Sequence, residues 1–281
     1  MKRIFGIVLA ISLTAISALG EEKRSATPVR SGYAVITLTS GAAPGLVAFE
    51  TFGLKGRGNE GGTMQAGVLP SGLTTNAVLF VETNGRLSKN LGIAIVNPNA
   101  ADLNLTLTLR KSDGTDFLTA NLTVPAHKQV SAFVTQLFSN QVRIPSDFIG
   151  TLAVTSNGTT PLPFAAIGLR FKGENFSTIP LTSLQTPTTG LPVITTGVGG
   201  EGALLLPQFA TGGGWATEVV IANSAASSIT VRLDLFNTDG TPLTATLNGK
   251  TASSFPNLVI PAHGVLELEP PGGDDDHDND D

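Results

Sequence analysis

The chemistry available to this chain is limited by three histidines, a single tryptophan and no cysteine in 281 residues. His127 and His263 each follow a Pro-Ala pair, and His277 lies in an Asp-rich end. A catalytic base is needed once, so two histidines at the same place in two similar stretches point to a turn role, with an imidazole capping backbone groups. No GxSxG elbow and no HExxH pair occurs. The missing thiols exclude disulfides, thiolate zinc sites, iron–sulfur clusters and cysteine nucleophiles. No catalytic residue, no cofactor and no protein-held metal is expected.

Two short motifs invite and fail the nucleotide reading. Gly56-Arg57-Gly58-Asn59-Glu60-Gly61 matches GxGxxG, but Gly62-Thr63-Met64 and Pro70-Ser71-Gly72 follow it. The dinucleotide site needs a helix N-terminus there, and this pattern reads as a hairpin loop. Gly249-Lys250-Thr251 resembles the end of a P-loop, yet Thr244 stands where its first glycine belongs. Glu50, Glu60, Glu82, Asp102, Asp113, Asp116, Asp147, Glu174, Glu218 and Asp234 are scattered, and no pair suited to glycoside hydrolysis stands out. Trp215, beside Gly212-Gly213-Gly214, is the one candidate ligand contact, with covering one end of a sandwich as its structural alternative. Asp274, Asp275, Asp276 and Asp278 are weak Ca²⁺ candidates in a tail otherwise read as solvated and disordered. Asn104, Asn121, Asn157 and Asn175 begin sequons read as incidental.

The elements around these residues are strands. Thirty-two glycines and 17 prolines, with 41% hydrophobic residues, suit many short strands joined by tight turns. Charged residues are only 14%, with no dense basic stretch, so nucleic acid is not an expected partner. Residues 1–20 read as a secretory signal: Lys2 and Arg3, an apolar run from Ile4 to Ala15, and Ala18-Leu19-Gly20 before Glu21. No membrane span is expected. Losing Lys2 and Arg3 deepens the net charge of −5 by two, and most of that charge is the tail.

An internal repeat sets the architecture. Gly92 to Thr115 (GIAIVNPNAADLNLTLTLRKSDGT) aligns without gaps on Glu218 to Thr241 (EVVIANSAASSITVRLDLFNTDGT), and each copy then reaches Pro-Ala-His. Leu103, Leu105, Leu107 and Leu109 alternate with polar residues, as do Ile229, Val231 and Leu233, the period of a half-buried strand. Asp113-Gly114 and Asp239-Gly240 are hairpin signals. Further strands are expected at 32–38, 46–52, 64–69, 77–83, 150–155, 164–171, 177–181 and 203–208, with one helical turn in 131–138. The fold class is all-β, two β-sandwich modules related by the repeat.

The runs AIVNP…LTLRKSDGT…VPAH and LPQFATGGGWATEVVIANS…VIPAH resemble tandem Ig-like β-sandwich modules of secreted or surface proteins from environmental bacteria. That resemblance implies a fold and an extracellular, cell-surface or periplasmic location, and it transfers no catalytic motif. It also implies that a segment like SGYAVITLTSGAAPGLVAFETFG should follow the second module, whereas here it stands at Ser31 to Gly53. The expected plan is therefore 1–20 signal, 31–72 strands completing the C-terminal module, 73–186 first sandwich, 187–201 linker, 202–270 second sandwich, and 271–281 acidic tail. The expected role is non-enzymatic: adhesion, envelope or matrix interaction, or scaffolding, with an extracellular protein or polysaccharide as partner. The alternatives are a carbohydrate-binding accessory or hydrolase acting on an extracellular polymer, and head-to-tail self-assembly by strand exchange.

Overall fold

The computed structural model describes residues 32–37, 39–40, 48, 50–55, 63–86, 88–172, 175–179, 182–183, 191–200, 202–212 and 217–271. The signal-like leader, the loop at 56–61, Trp215 and the aspartates of the tail lie outside them. The regular structure of the described chain is almost entirely strand. β1 (Glu50–Lys55) and β2 (Thr63–Val68) make an N-terminal hairpin. The first unit holds β3 (Asn76–Glu82), β4 (Lys89–Val96), β5 (Leu103–Lys111), β6 (Asp116–Val124), β7 (Gln129–Phe133), the helical turn α1 (Val134–Leu137), β8 (Ile149–Ser156), β9 (Ala165–Lys172), β10 (Asn175–Ile179) and β11 (Thr182–Ser183). The hairpin β12 (Leu191–Thr195) and β13 (Val198–Gly200) follows. The second unit holds β14 (Val219–Ala222), β15 (Ile229–Asp234), β16 (Ala245–Leu247), β17 (Lys250–Ala252), β18 (Ser254–Ile260) and β19 (Val265–Leu268).

In the first unit two antiparallel sheets, ordered β10-β9-β4-β7 and β11-β3-β8-β5-β6, enclose one core. Alternation drives the layering: Leu103, Leu105, Leu107 and Leu109 of β5 are all buried, against Leu79 and Val81 of β3, Leu91, Ile93 and Ile95 of β4, and Leu152 and Val154 of β8. Each such side chain contributes about 1.5–3 kcal/mol on burial. Phe138, at the end of α1, plugs the edge of this core, as the spacing of Phe133, Leu137 and Phe138 predicts.

The second unit repeats the pairing but not the sheets. β14 pairs with β19 as β4 pairs with β7, and Ile221↔Leu266 falls where Ile95↔Val130 does. β15 pairs with β18 as β5 pairs with β6, with Ile229↔Ile260 and Val231↔Leu258 matching Leu103↔Val124 and Leu105↔Leu122. Each of these sheets has two strands where the first unit has four and five.

Three expectations are revised. Residues 32–37 and 203–208 lie in no strand. Residues 191–200, expected as linker, form the β12–β13 hairpin. The described contacts of the N-terminal segment run to the first unit: Tyr33 Oη donates to the His127 carbonyl at 3.1 Å, Thr178 Oγ1 to that of Gly67 at 2.7 Å, and Ser71 Oγ to that of Ala166 at 3.1 Å. β2 lies along β10, and among the described residues no strand of this segment pairs with β14–β19. The reason is chain continuity, since β2 leads directly into β3 and is held at that side of the first unit.

Candidate functional site

The two histidines sit in matched turns. His127 and His263 both have left-handed backbones, φ 55° and φ 57°. Their backbone N–H groups donate to Asn99 O and Ala225 O at 3.2 and 3.0 Å. A buried asparagine holds each turn from inside. Asn97 Nδ2 donates to the carbonyls of Ala101, Val124 and Pro125, and Asn223 Nδ2 to those of Ser227, Ile260 and Pro261. Each Oδ1 accepts from the backbone two residues on, at Asn99 and Ala225. Three carbonyls that strands cannot satisfy are thus collected by one amide. The bonds that close these turns come from backbone N–H and asparagine, where the sequence had suggested imidazole.

Asp113 and Asp239 are likewise turn formers. Each Oδ1 accepts from both the hydroxyl and the backbone N–H two residues on, at Thr115 and Thr241. Those bonds hold each carboxyl below its ordinary range.

The scattered carboxylates do converge at one place, where the two units meet. Glu82, on β3, accepts from Lys89 Nζ at 2.5 Å and from the Arg170 guanidinium of β9. Arg170 reaches on to Glu218, the residue before β14, with Nη2–Oε2 at 3.0 Å. Burial opposes the charge on Arg170, but the Glu218 and Glu82 carboxylates outweigh it and raise its pKa further. Glu267, across the β14–β19 ladder, is pushed up to about 8 by burial, then by its hydrogen bond with Glu218 and the nearby charges of Glu218, Glu82 and Glu269. Its Oε1 is buried without a hydrogen-bond partner. The raised pKa favours the neutral acid form of Glu267 among these carboxylates. Glu267 escaped the sequence analysis, although an acid inside Val265-Leu266-Glu267-Leu268 was a visible signal.

The units also touch through two different turns, the Asp113-Gly114 turn of the first and the Pro261-Ala262-His263 turn of the second. Val265 N donates to Ser112 O at 3.0 Å, and a Cβ on Gly114 would run into the Ala262 carbonyl oxygen. A cavity of about 550 Å³ in the first unit is lined by Lys89, Asn90, Gln141, Arg143 and Ser146 among others, with no acid or histidine. Among the described residues no three His, Asp or Glu side chains are grouped to hold a metal.

The clearest open feature is the edge of each sheet in the second unit. β4 and β5 have two neighbours each, whereas β14 and β15 have one among the described strands. Carrying the repeat's spacing toward the N-terminus sets Leu205 opposite Leu79. Leu79 is 1% exposed between β3's partners, while Leu205 is 64% exposed, flanked by Leu204 at 78% and Leu206 at 59%. The inward residues of β15 are only half-buried, although their β5 counterparts are fully buried. The difference has one cause. In the first unit β8 lies between β3 and β5, and among the described residues the second unit has no strand in that place.

No family model and no curated protein matches the chain. Among solved structures it is similar to the Anabaena sensory rhodopsin transducer, at 19% identity, with a TM-score of 0.27, over 33% of this chain and 93% of that one. A likeness that slight assigns neither fold nor function. Among the described residues no helix is long and apolar enough to cross a membrane.

Proposed function

We propose that the chain is a secreted, non-enzymatic interaction protein of two Ig-like β-sandwich units, serving adhesion, envelope or matrix contact, or scaffolding outside the cell. One observation carries the reading: β14 and β15 each have an unpaired edge among the described strands, and Leu204, Leu205 and Leu206, which the repeat's spacing sets in the place of β3, are exposed. An open edge next to exposed apolar residues is a docking feature for another chain, because the unpaired amides and carbonyls take a strand and the leucines bury against it. His127 and His263 occupy turns held by their backbone N–H groups, and the Glu82 and Glu218 side chains are engaged in ion pairs. The leader-like residues 1–20 and the resemblance to modules of secreted bacterial proteins support an extracytoplasmic setting.

The test is expression of the full chain in a bacterial host, followed by fractionation and a panel of extracellular polymers. The expected result is a mature form starting at Glu21, retained on the outside of cells, that releases no sugar or peptide from any polymer. Retention of the uncleaved chain in the cytoplasm, or turnover of a polymer, would overturn the proposal.

A further inference from the structure

We infer that the missing strands of the second unit are supplied by a second copy of this chain, through residues 32–37 and the β1–β2 hairpin. The inference rests on the reading above and names its partner. The first unit defines what is missing: β8 between β3 and β5, and the β9–β10 hairpin on the edge of β4 opposite β7. The N-terminal segment is built in that order. Residues 32–37 precede Gly41-Ala42-Ala43-Pro44, as β8 precedes Gly158-Thr159-Thr160-Pro161. β1 then ends at Lys55 as β9 ends at Lys172, and β1 turns back into β2 as β9 turns back into β10.

Donor and acceptor are both open. Val35 is 75% exposed and Ile36 63% exposed, on backbone that belongs to no strand. On the acceptor side stand the half-buried residues of β15 and the exposed Leu205. A strand laid between β15 and residues 203–206 buries both sets at once and gives their backbone groups ladder partners. β1, whose second edge is unpaired among the described strands, then meets β14. The described N-terminal contacts of the monomer run to its own first unit, so the donor serves a neighbour and not its own C-terminal unit. Donor and acceptor are different surfaces, which makes the contact heterologous and the assembly a head-to-tail chain.

Sedimentation velocity of the purified chain over a wide concentration range tests this, with two variants that act on exposed residues. The wild type is expected to grow from monomer through successive multiples. V35K/I36K, which spoils the donor in either register, and L205D, which spoils the acceptor, are each expected to stay monomeric. Their mixture should form a dimer and stop there, since one intact donor and one intact acceptor remain, and that dimer proves both variants folded. A wild type that stays monomeric throughout, oligomers indifferent to both variants, or a mixture that never pairs would each overturn the inference. If monomers are nevertheless retained on the cell surface, only the strand donation fails; if they are released to the medium, the proposed function fails with it.

Discussion

Asn97 and Asn223 do more for this fold than any of the residues that first suggest chemistry. Each is buried and gathers three carbonyls from the ends of strands, so the His127 and His263 turns have one geometry in both units. Their recurrence was visible in the sequence, but the acceptors were not, because two of the three in each set lie far along the chain, at Val124 and Pro125 and at Ile260 and Pro261. Glu267 makes a different point. Its acid form is favoured in the fold by burial and by the Glu218, Glu82 and Glu269 carboxylates, with Arg170 held to Glu82 and Glu218 nearby. A carboxyl whose folded pKa is raised stabilises fully below its ordinary value near 4.5 and loses that contribution as pH climbs through about 8. Urea midpoints of the wild type should therefore fall between about pH 4.5 and 8 by an increment missing in Glu267→Gln, which keeps the shape of the side chain without the charge. Equal pH dependence in both proteins would contradict the raised pKa of Glu267.

At the scale of elements, the two Asp-Gly turns form a matched pair that separates local strain from docking of the units. Gly114 and Gly240 have nearly the same backbone, φ 85° and φ 83°. A Cβ on Gly240 meets open space, whereas one on Gly114 runs into the Ala262 carbonyl of the second unit. Gly240→Ala should cost only the left-handed penalty of about 1–2 kcal/mol. Gly114→Ala should cost that and roughly 1–3 kcal/mol more for overpacking against backbone, read from denaturant midpoints. Equal costs would mean the units do not touch there in solution. Strands were legible wherever alternation ran between clear turns, as in β5, because the period of two reports a half-buried ribbon regardless of its partners. Residues 203–208 read equally well as a strand and are not one. Local pattern specifies the propensity, while the strand that must lie alongside is a property of sheet order. The Glu82–Arg170–Glu218–Glu267 cluster was illegible for the same reason, since its members meet only after β3, β9, β14 and β19 are placed.

Over the whole molecule the asymmetry is the informative feature: one unit closed around a continuous core, and a second with the same ladders but two-stranded sheets. An isolated two-stranded sheet is marginal in water, so the second unit leans on the first through the Ser112–Val265 and Arg170–Glu218 contacts, while among the described strands β14 and β15 each keep one open edge. That openness has a direct measure in native-state amide exchange followed as a function of protein concentration. In dilute solution the β5 and β8 amides should be strongly protected and those of β14, β15 and residues 203–206 weakly so. On concentration, protection should rise in the second group and in residues 32–37 together. Strong protection of β15 and residues 203–206 at the lowest concentration, unchanged on concentrating, would mean that the second unit is already complete and would contradict this account.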